Sequence, residues 1–197
     1  MIDERVFFDM LASSWDTTRL ADARKISELV ALAGLGQGEK VLDAGSGTGI
    51  LLPFIKKAIG SAGSITAVDF SANMLDKAKE KYDSLGNINF IVADIMEFVP
   101  EGAMDAVICF NFFPHIKDKQ QFLNLVHNYL QVGGMLVIMH DISRQQVNAI
   151  HQGSQVVKDD RLVSGETLRK WLIVAGYQVT EVLDADDRYF IKAVKAG

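Results

Sequence analysis

The chain is poor in several features that would have decided its class at once. It has one cysteine, Cys109, in 197 residues, so no internal disulfide can form and a reducing compartment is expected. No apolar run approaches the ~18 residues of a membrane-spanning helix. The N-terminus, Met1-Ile2-Asp3-Glu4-Arg5, lacks the apolar stretch of a signal peptide. Cytoplasmic localisation without membrane attachment is the expectation. No Lys/Arg cluster stands out and the formal net charge is -5. That balance argues against a protein that tracks nucleic-acid phosphates. Internal repeats, linkers and low-complexity segments are absent too. What remains is a chain with 49% hydrophobic residues, long enough to bury one sizeable core. The expectation is a single domain, 1–197, with N-terminal helices over 1–37, a candidate lid, and a core over 38–197.

The richest stretch is Val41-Leu42-Asp43-Ala44-Gly45-Ser46-Gly47-Thr48-Gly49. Apolar residues run into an acid, glycines then alternate, and Leu51, Leu52, Phe54 and Ile55 supply a helical apolar face. This reads as strand, tight loop and helix start. Glycine is required where backbone turns sharply or lets a ligand approach. Such a loop at the carboxyl end of a strand marks the binding crevice of a doubly wound sheet. The spacing is G-x-G-x-G, not the G-x-G-x-x-G of a NAD fingerprint. Further strands read as Ser64–Asp69, Asn89–Asp94 and Met104–Asn111, the first two ending in an acid.

Helical spacing of Phe8, Leu11, Ala12 and Trp15 predicts one short amphipathic helix, and Ile26, Leu29, Val30 and Ala33 predict another ended by Gly34 or Gly36. Ser71 is placed to cap a helix running through residue 84. Phe122, Leu125, Val126 and Tyr129 mark a helix ended by Gly133-Gly134, before the apolar strand Met135–Met139. A helix around Leu168, Trp171, Leu172 and Ala175 leads into a hairpin, Tyr177–Leu183 with Arg188–Val194.

With these motifs the chain resembles the class I, Rossmann-like S-adenosylmethionine-dependent methyltransferases over roughly residues 38–197. The resemblance implies a Rossmann-like, doubly wound α/β fold: a mostly parallel seven-stranded sheet with a C-terminal antiparallel hairpin and helices on both faces. It implies a cofactor, S-adenosylmethionine, leaving as S-adenosylhomocysteine. It also implies roles. Gly45, Ser46, Gly47 and Gly49 would wrap the methionine part, and Asp43 would orient its ammonium group. Asp69 would take the ribose hydroxyls, with Phe70 and Met74 alongside. Asp94 and Ile95 would read the adenine, and the Asn111 backbone would lie near the amino group. For each acid taken alone, a solvated strand end or a helix cap is the plainer reading. Phe7, Phe8 and Trp15 divide evenly between lid and simple packing.

An activated methyl needs little from the protein beyond alignment of the acceptor and exclusion of water. Acceptors such as hydroxyls or protonated amines additionally need a base. Of only four histidines, His115 follows the fourth strand, His140 ends the fifth and is followed by Asp141, and His151 lies on the next helix. Arg144, Asn148 and His151 share one helical face by spacing. Phe112, Phe113, His115, His140, Arg144, Asn148 and His151 are therefore the acceptor-side candidates. Three readings of the cluster stand side by side. His115, His140 and His151 would hold a divalent metal (zinc, iron or nickel), with Asp141 or Cys109 as a further ligand. Alternatively His140 or His115 is a general base while Arg144 holds an anionic acceptor. Or the residues cap, pack and face solvent. His127 reads as a surface residue.

The expected partner is a small-molecule acceptor, with no nucleic acid and no membrane; a homodimer is admitted. The rival functions are a non-catalytic cofactor- or metal-binding regulator on the same fold and a NAD-type oxidoreductase. The segment Asn111-Phe112-Phe113-Pro114 lacks the paired prolines of amino-methylating DNA enzymes, which sets base methylation low.

Overall fold

A computed structural model describes residues 3–19 and 21–197. Met1 and Ile2, part of the N-terminal stretch read above, lie outside the described residues. Seven strands form one sheet in the order β3-β2-β1-β4-β5-β7-β6. They are β1 (Lys40–Ala44), β2 (Ser64–Asp69), β3 (Ile88–Val92), β4 (Met104–Phe110), β5 (Leu130–His140), β6 (Tyr177–Asp184) and β7 (Tyr189–Lys195). Pairings β1 with β2, β2 with β3 and β4 with β5 are parallel, while β7 runs antiparallel to β5 and β6. The mostly parallel sheet with its terminal hairpin is therefore as expected. By internal contacts the chain divides into two compact units, Met1–Phe98 and Val99–Gly197.

The first unit holds α1 (Glu4–Leu11), α2 (Trp15–Thr18), α3 (Ala23–Ala33), α4 (Leu52–Ile59) and α5 (Ala72–Tyr82). Its core is formed by Val41, Leu42, Ile55, Ile65, Val68 and Leu75, all buried. Ser71 caps α5 as predicted, its hydroxyl accepting from Met74 N at 3.2 Å. Gly34 ends α3 in the left-handed conformation, φ 69°. The single helix expected around Phe8–Trp15 is instead two, broken after Leu11, with Ser14 N bonded to Leu11 O.

The second unit holds α6 (Lys119–Tyr129), α7 (Arg144–Gln152) and α8 (Gly165–Val174). Val107, Ile108, Phe122, Leu136, Val137 and Ile191 are buried together with the chain's one cysteine, Cys109. Gly133-Gly134 does not separate helix from strand, because β5 already begins at Leu130. The register jumps from Met104↔Leu130 to Ala106↔Met135, so the glycines form an irregularity inside the strand. A Cβ on Gly134 would meet Gln131 O at 2.9 Å. β6, at the end of the sheet, alternates buried and exposed residues, whereas β4 and β5 bury long consecutive stretches. Among the described residues no helix is long and apolar enough to cross a membrane.

Candidate functional site

In the first unit β1 delivers Asp43 into the interior, 1% exposed, and the chain turns through Gly45–Gly49 before α4. Gly49 has φ +79°, and a Cβ there would meet Leu52 at 2.7 Å and Ala78 at 2.9 Å. Only glycine lets α4 and α5 close on the loop. At Gly47, φ +54°, nothing lies within 4 Å of the position a Cβ would take, so this part of the loop faces open space.

Asp69, ending β2, organises the loop. Its Oδ2 accepts from Gly47 N at 2.8 Å and its Oδ1 from Ser71 N at 2.9 Å. Among the described residues, Asp43 Oδ2 and Ser46 Oγ are buried without a hydrogen-bond partner. Burial, with the charge of Asp69 adding to it, raises the Asp43 carboxyl to about 7. A buried polar atom without a partner is costly unless a ligand supplies one.

Met74 is buried on the first turn of α5, and Ile95 is buried after β3. Phe70 lies between Phe8, at 5.9 Å between ring centroids, and Arg5, whose guanidinium carbon is 5.8 Å from the ring centroid. Asp94 falls two residues beyond β3, not at its end, and is exposed. Its Oδ1 accepts from Met96 N at 2.9 Å and its carbonyl accepts from Glu97 N and Phe98 N, so it also closes a turn.

The N-terminal helices reach these same loops. Thr48 Oγ1 donates to Asp16 Oδ1 at 2.5 Å, and Lys81 Nζ donates to Asp16 Oδ2 at 2.6 Å. Ser71 Oγ donates to Asp9 Oδ1 at 2.5 Å. Burial alone would raise the Asp16 carboxyl, yet hydrogen bonds from Lys81 and Thr48 bring it below the ordinary range. Asp9, Asp16, Thr48 and Ser71 were not singled out as site residues from the sequence. No spacing rule links an acid near the N-terminus to a loop some thirty to sixty positions later.

In the second unit, Asn111 follows β4 with φ 55°, its N–H donating to Met139 O at 2.9 Å. Its side chain donates to Asp141 Oδ1 at 2.9 Å. A short 3-10 turn, Phe113–His115, comes next, with Phe113 fully buried against Phe122; Phe112 is half-buried beside it. His115 Nδ1 lies 2.7 Å from Asp160 Oδ2, and Lys117 Nζ donates to Asp160 Oδ1 at 2.6 Å.

Arg144, Asn148 and His151, expected to converge on an acceptor, each have partners within the second unit. Arg144 Nε donates to both carboxylate oxygens of Asp184, at 3.2 and 2.9 Å. Asn148 donates to Leu162 O at 3.0 Å and accepts from Leu162 N at 2.8 Å. His151 Nδ1 donates to Asp160 O at 2.9 Å. All three are bonded to other parts of the same unit. The expected metal ligands are His115, His140 and His151. His115 and His151 lie 5.0 Å apart by ring centroids, but each uses Nδ1 on Asp160. His140 is 1% exposed and sits edge-on to Tyr189, centroids 6.0 Å apart. No group of three clustered ligand atoms among the described residues includes His140 or His151. His127, read as a surface residue, is half-buried against Tyr177, ring centroids 5.0 Å apart.

An open α/β sheet whose first strand runs into a G-x-G-x-G loop, braced by an acid ending the second strand, is the frame of a protein that binds a nucleoside-bearing cofactor. Residues 41–134 match the methyltransferase-domain family. A demethylmenaquinone methyltransferase of Staphylococcus aureus (strain MRSA252) is 35% identical over 107 residues, 54% of this chain and 44% of that protein. The match thus spans less than half the length of this curated relative. Among solved structures, a SAM-dependent methyltransferase from Aquifex aeolicus superposes with a TM-score of 0.73 at 19% identity, covering 98% of each chain. DhpI in its SAH complex gives 0.77 at 21% identity, covering 98% of this chain and 95% of that one. Residues 41–134 are thus similar to a methyltransferase domain, and the fold is that of the solved Rossmann-like methyltransferases.

Proposed function

We propose that this chain transfers a methyl group from S-adenosylmethionine to a small-molecule acceptor, residues 1–197 working as one methyltransferase domain. The observation that carries the reading is the glycine loop with its two unpartnered buried oxygens, Asp43 Oδ2 and Ser46 Oγ, beside the loop-bracing Asp69. An amino-acid ammonium would give Asp43 the positive partner it lacks. A ribose would add to the Asp69 carboxylate, which already braces the loop through Gly47 N and Ser71 N. Gly45, Gly47, Gly49 and Ser46 would flank the methionine part. Phe70, Met74, Asp94 and Ile95 would flank the nucleoside. The bound cofactor would supply a methyl already activated on a sulfonium sulfur.

The protein's remaining tasks are to orient the acceptor, exclude water and, where the acceptor bears a proton, remove it. The curated relative is named for demethylmenaquinone, which supports a small-molecule acceptor. His115 is the better candidate base: its side chain is 15% exposed, whereas His140 is buried against Tyr189. Arg144, in its ion pair with Asp184, is the weakest of the three catalytic candidates. Titration calorimetry tests the cofactor reading. S-Adenosylhomocysteine should bind and NAD should not, with Asp69→Ala abolishing the heat. Binding of NAD alone would reverse the assignment.

A further inference from the structure

We propose that the second unit carries a binding site of its own for a small aromatic carboxylate. An open cavity of about 720 Å³ is lined by the start of α6, by the segment leading into α8 and by α8 itself. That volume lies in the range of small-molecule sites. Val163 and Trp171 form its apolar wall, and both are half-buried. Leu168 and Leu172 supply the buried face of α8, which leaves Trp171 with surface turned to the cavity. An indole offers a large flat area on which another ring can stack.

Two cations of the lining have neutral hydrogen-bond partners. Lys119 Nζ donates to the carbonyls of Pro114 and Ile116 at 3.1 and 2.7 Å, and lies 5.7 Å from the centroid of the Phe113 ring. Arg161 meets the Gln152 amide. With that amide turned so that its oxygen faces the guanidinium, the oxygen accepts from Nη1 and Nη2 at 2.6 and 3.1 Å. These contacts hold both side chains in place without cancelling either charge. Burial lowers the Lys119 pKa, Asp160 opposes the shift and Lys117 adds to it, so an anion beside Lys119 would be stabilising. Arg161 keeps further N–H donors for a carboxylate, which a guanidinium binds in a two-point fork. The other charges of the lining limit the ligand. Lys117 is already paired with Asp160. Asp118 caps α6, accepting from Gln121 N at 2.8 Å, and Asp159 is exposed. Two acids at the cavity disfavour a dianion such as a phosphate ester, and a single carboxylate facing Lys119 and Arg161 fits the balance.

The ligand needs both halves. An ion pair in so open a cavity contributes little by itself, and a neutral ring would leave the two cations unanswered. A flat ring on Trp171 and Val163 with its carboxylate toward Arg161 and Lys119 uses the apolar wall and the charges together. None of the lining residues belongs to the glycine loop or to Asp69, so the site stands whether or not the chain transfers methyl groups.

Nitrogen-edited proton NMR of the full chain tests the site through its two indoles, Trp15 and Trp171, told apart by Trp15→Phe. Titration with 2-naphthoate should move the Trp171 indole signal to saturation and leave that of Trp15 in place, with excess S-adenosylhomocysteine making no difference. The neutral isostere 2-naphthamide and the non-aromatic anion cyclohexanecarboxylate should each bind roughly tenfold more weakly, and Arg161→Gln should weaken 2-naphthoate by about the same factor. An unmoved Trp171 signal, equal affinity for acid and amide, displacement by S-adenosylhomocysteine, or full affinity in Arg161→Gln would each overturn the proposal. The comparison of acid with amide is made on the wild-type chain, so it decides the matter even if Arg161→Gln fails to fold. Failure to bind S-adenosylhomocysteine would count against the methyl-transfer reading and leave this site standing.

Discussion

Two buried carboxylates, one in each unit, sit in opposite states. Asp43 is 1% exposed beside another acid, and its carboxyl is raised to about 7. Asp160 is 3% exposed and is held below the ordinary range by His115 and Lys117. Burial pushes each carboxyl up, and at Asp160 the hydrogen bonds from His115 and Lys117 overcome it. Among the described residues Oδ2 of the first acid has no hydrogen-bond partner, which fits a ligand site. The second has its partners built in, His115 and Lys117.

The largest effect should come from the acid that shapes the loop. Asp69→Ala removes acceptors from Gly47 N and Ser71 N. Charge-assisted bonds are each worth about 1.5–3 kcal/mol, so calorimetry should show S-adenosylhomocysteine affinity falling at least a hundredfold.

Asp43 gives the next prediction, through pH. Its ordinary pKa is 3.8 and its folded value about 7. The unfolded chain therefore ionises first as pH rises. The cost to the unliganded fold is absent below 3.8, grows through the interval and levels off above about 7, on the order of a few kcal/mol. Asp43→Asn should thus raise the Tm of the unliganded protein over wild type more at pH 8 than at pH 4.5. For a ligand carrying an ammonium group, wild-type affinity should strengthen as pH rises through 7. A flat affinity profile would break the contrast with Asp160.

Arg144→Ala sharpens it from the other side. With Arg144 committed to Asp184, urea unfolding should register a loss of about 1 kcal/mol while acceptor KM stays unchanged. A large KM effect would return Arg144 to the acceptor. The smallest effect is expected at Asp16, whose partners are Thr48 and Lys81. Asp16→Asn should cost about 1 kcal/mol or less and speed proteolytic nicking within α1 and α2.

The sheet was legible because its strands announce themselves. Val107–Phe110 and Leu136–Met139 are continuous apolar runs, and each is buried. The loop was legible too, since alternating glycines after an apolar strand mark backbone that takes positive φ, as Gly45, Gly47 and Gly49 do. Other readings failed where tertiary contact overrides local pattern. Gly133-Gly134 resembles a helix stop, yet β5 absorbs the pair as an irregularity. The spacing of Arg144, Asn148 and His151 correctly put them on one helix, but spacing does not say what that helix meets. Asp160 is one acid in the charged run Lys158-Asp159-Asp160-Arg161, and nothing local distinguishes it from Asp159. Its partner is a histidine that only folding brings near.

Asp69 bears once more on how a ligand would meet this protein. Its two bonds to Gly47 and Ser71 are made within the chain itself. The entropy of ordering the loop is therefore spent during folding and is not charged again at binding. A ligand entering a frame of this kind loses little affinity to reorganisation. Its residence time should then follow how tightly its own groups are held, with loop closure contributing little.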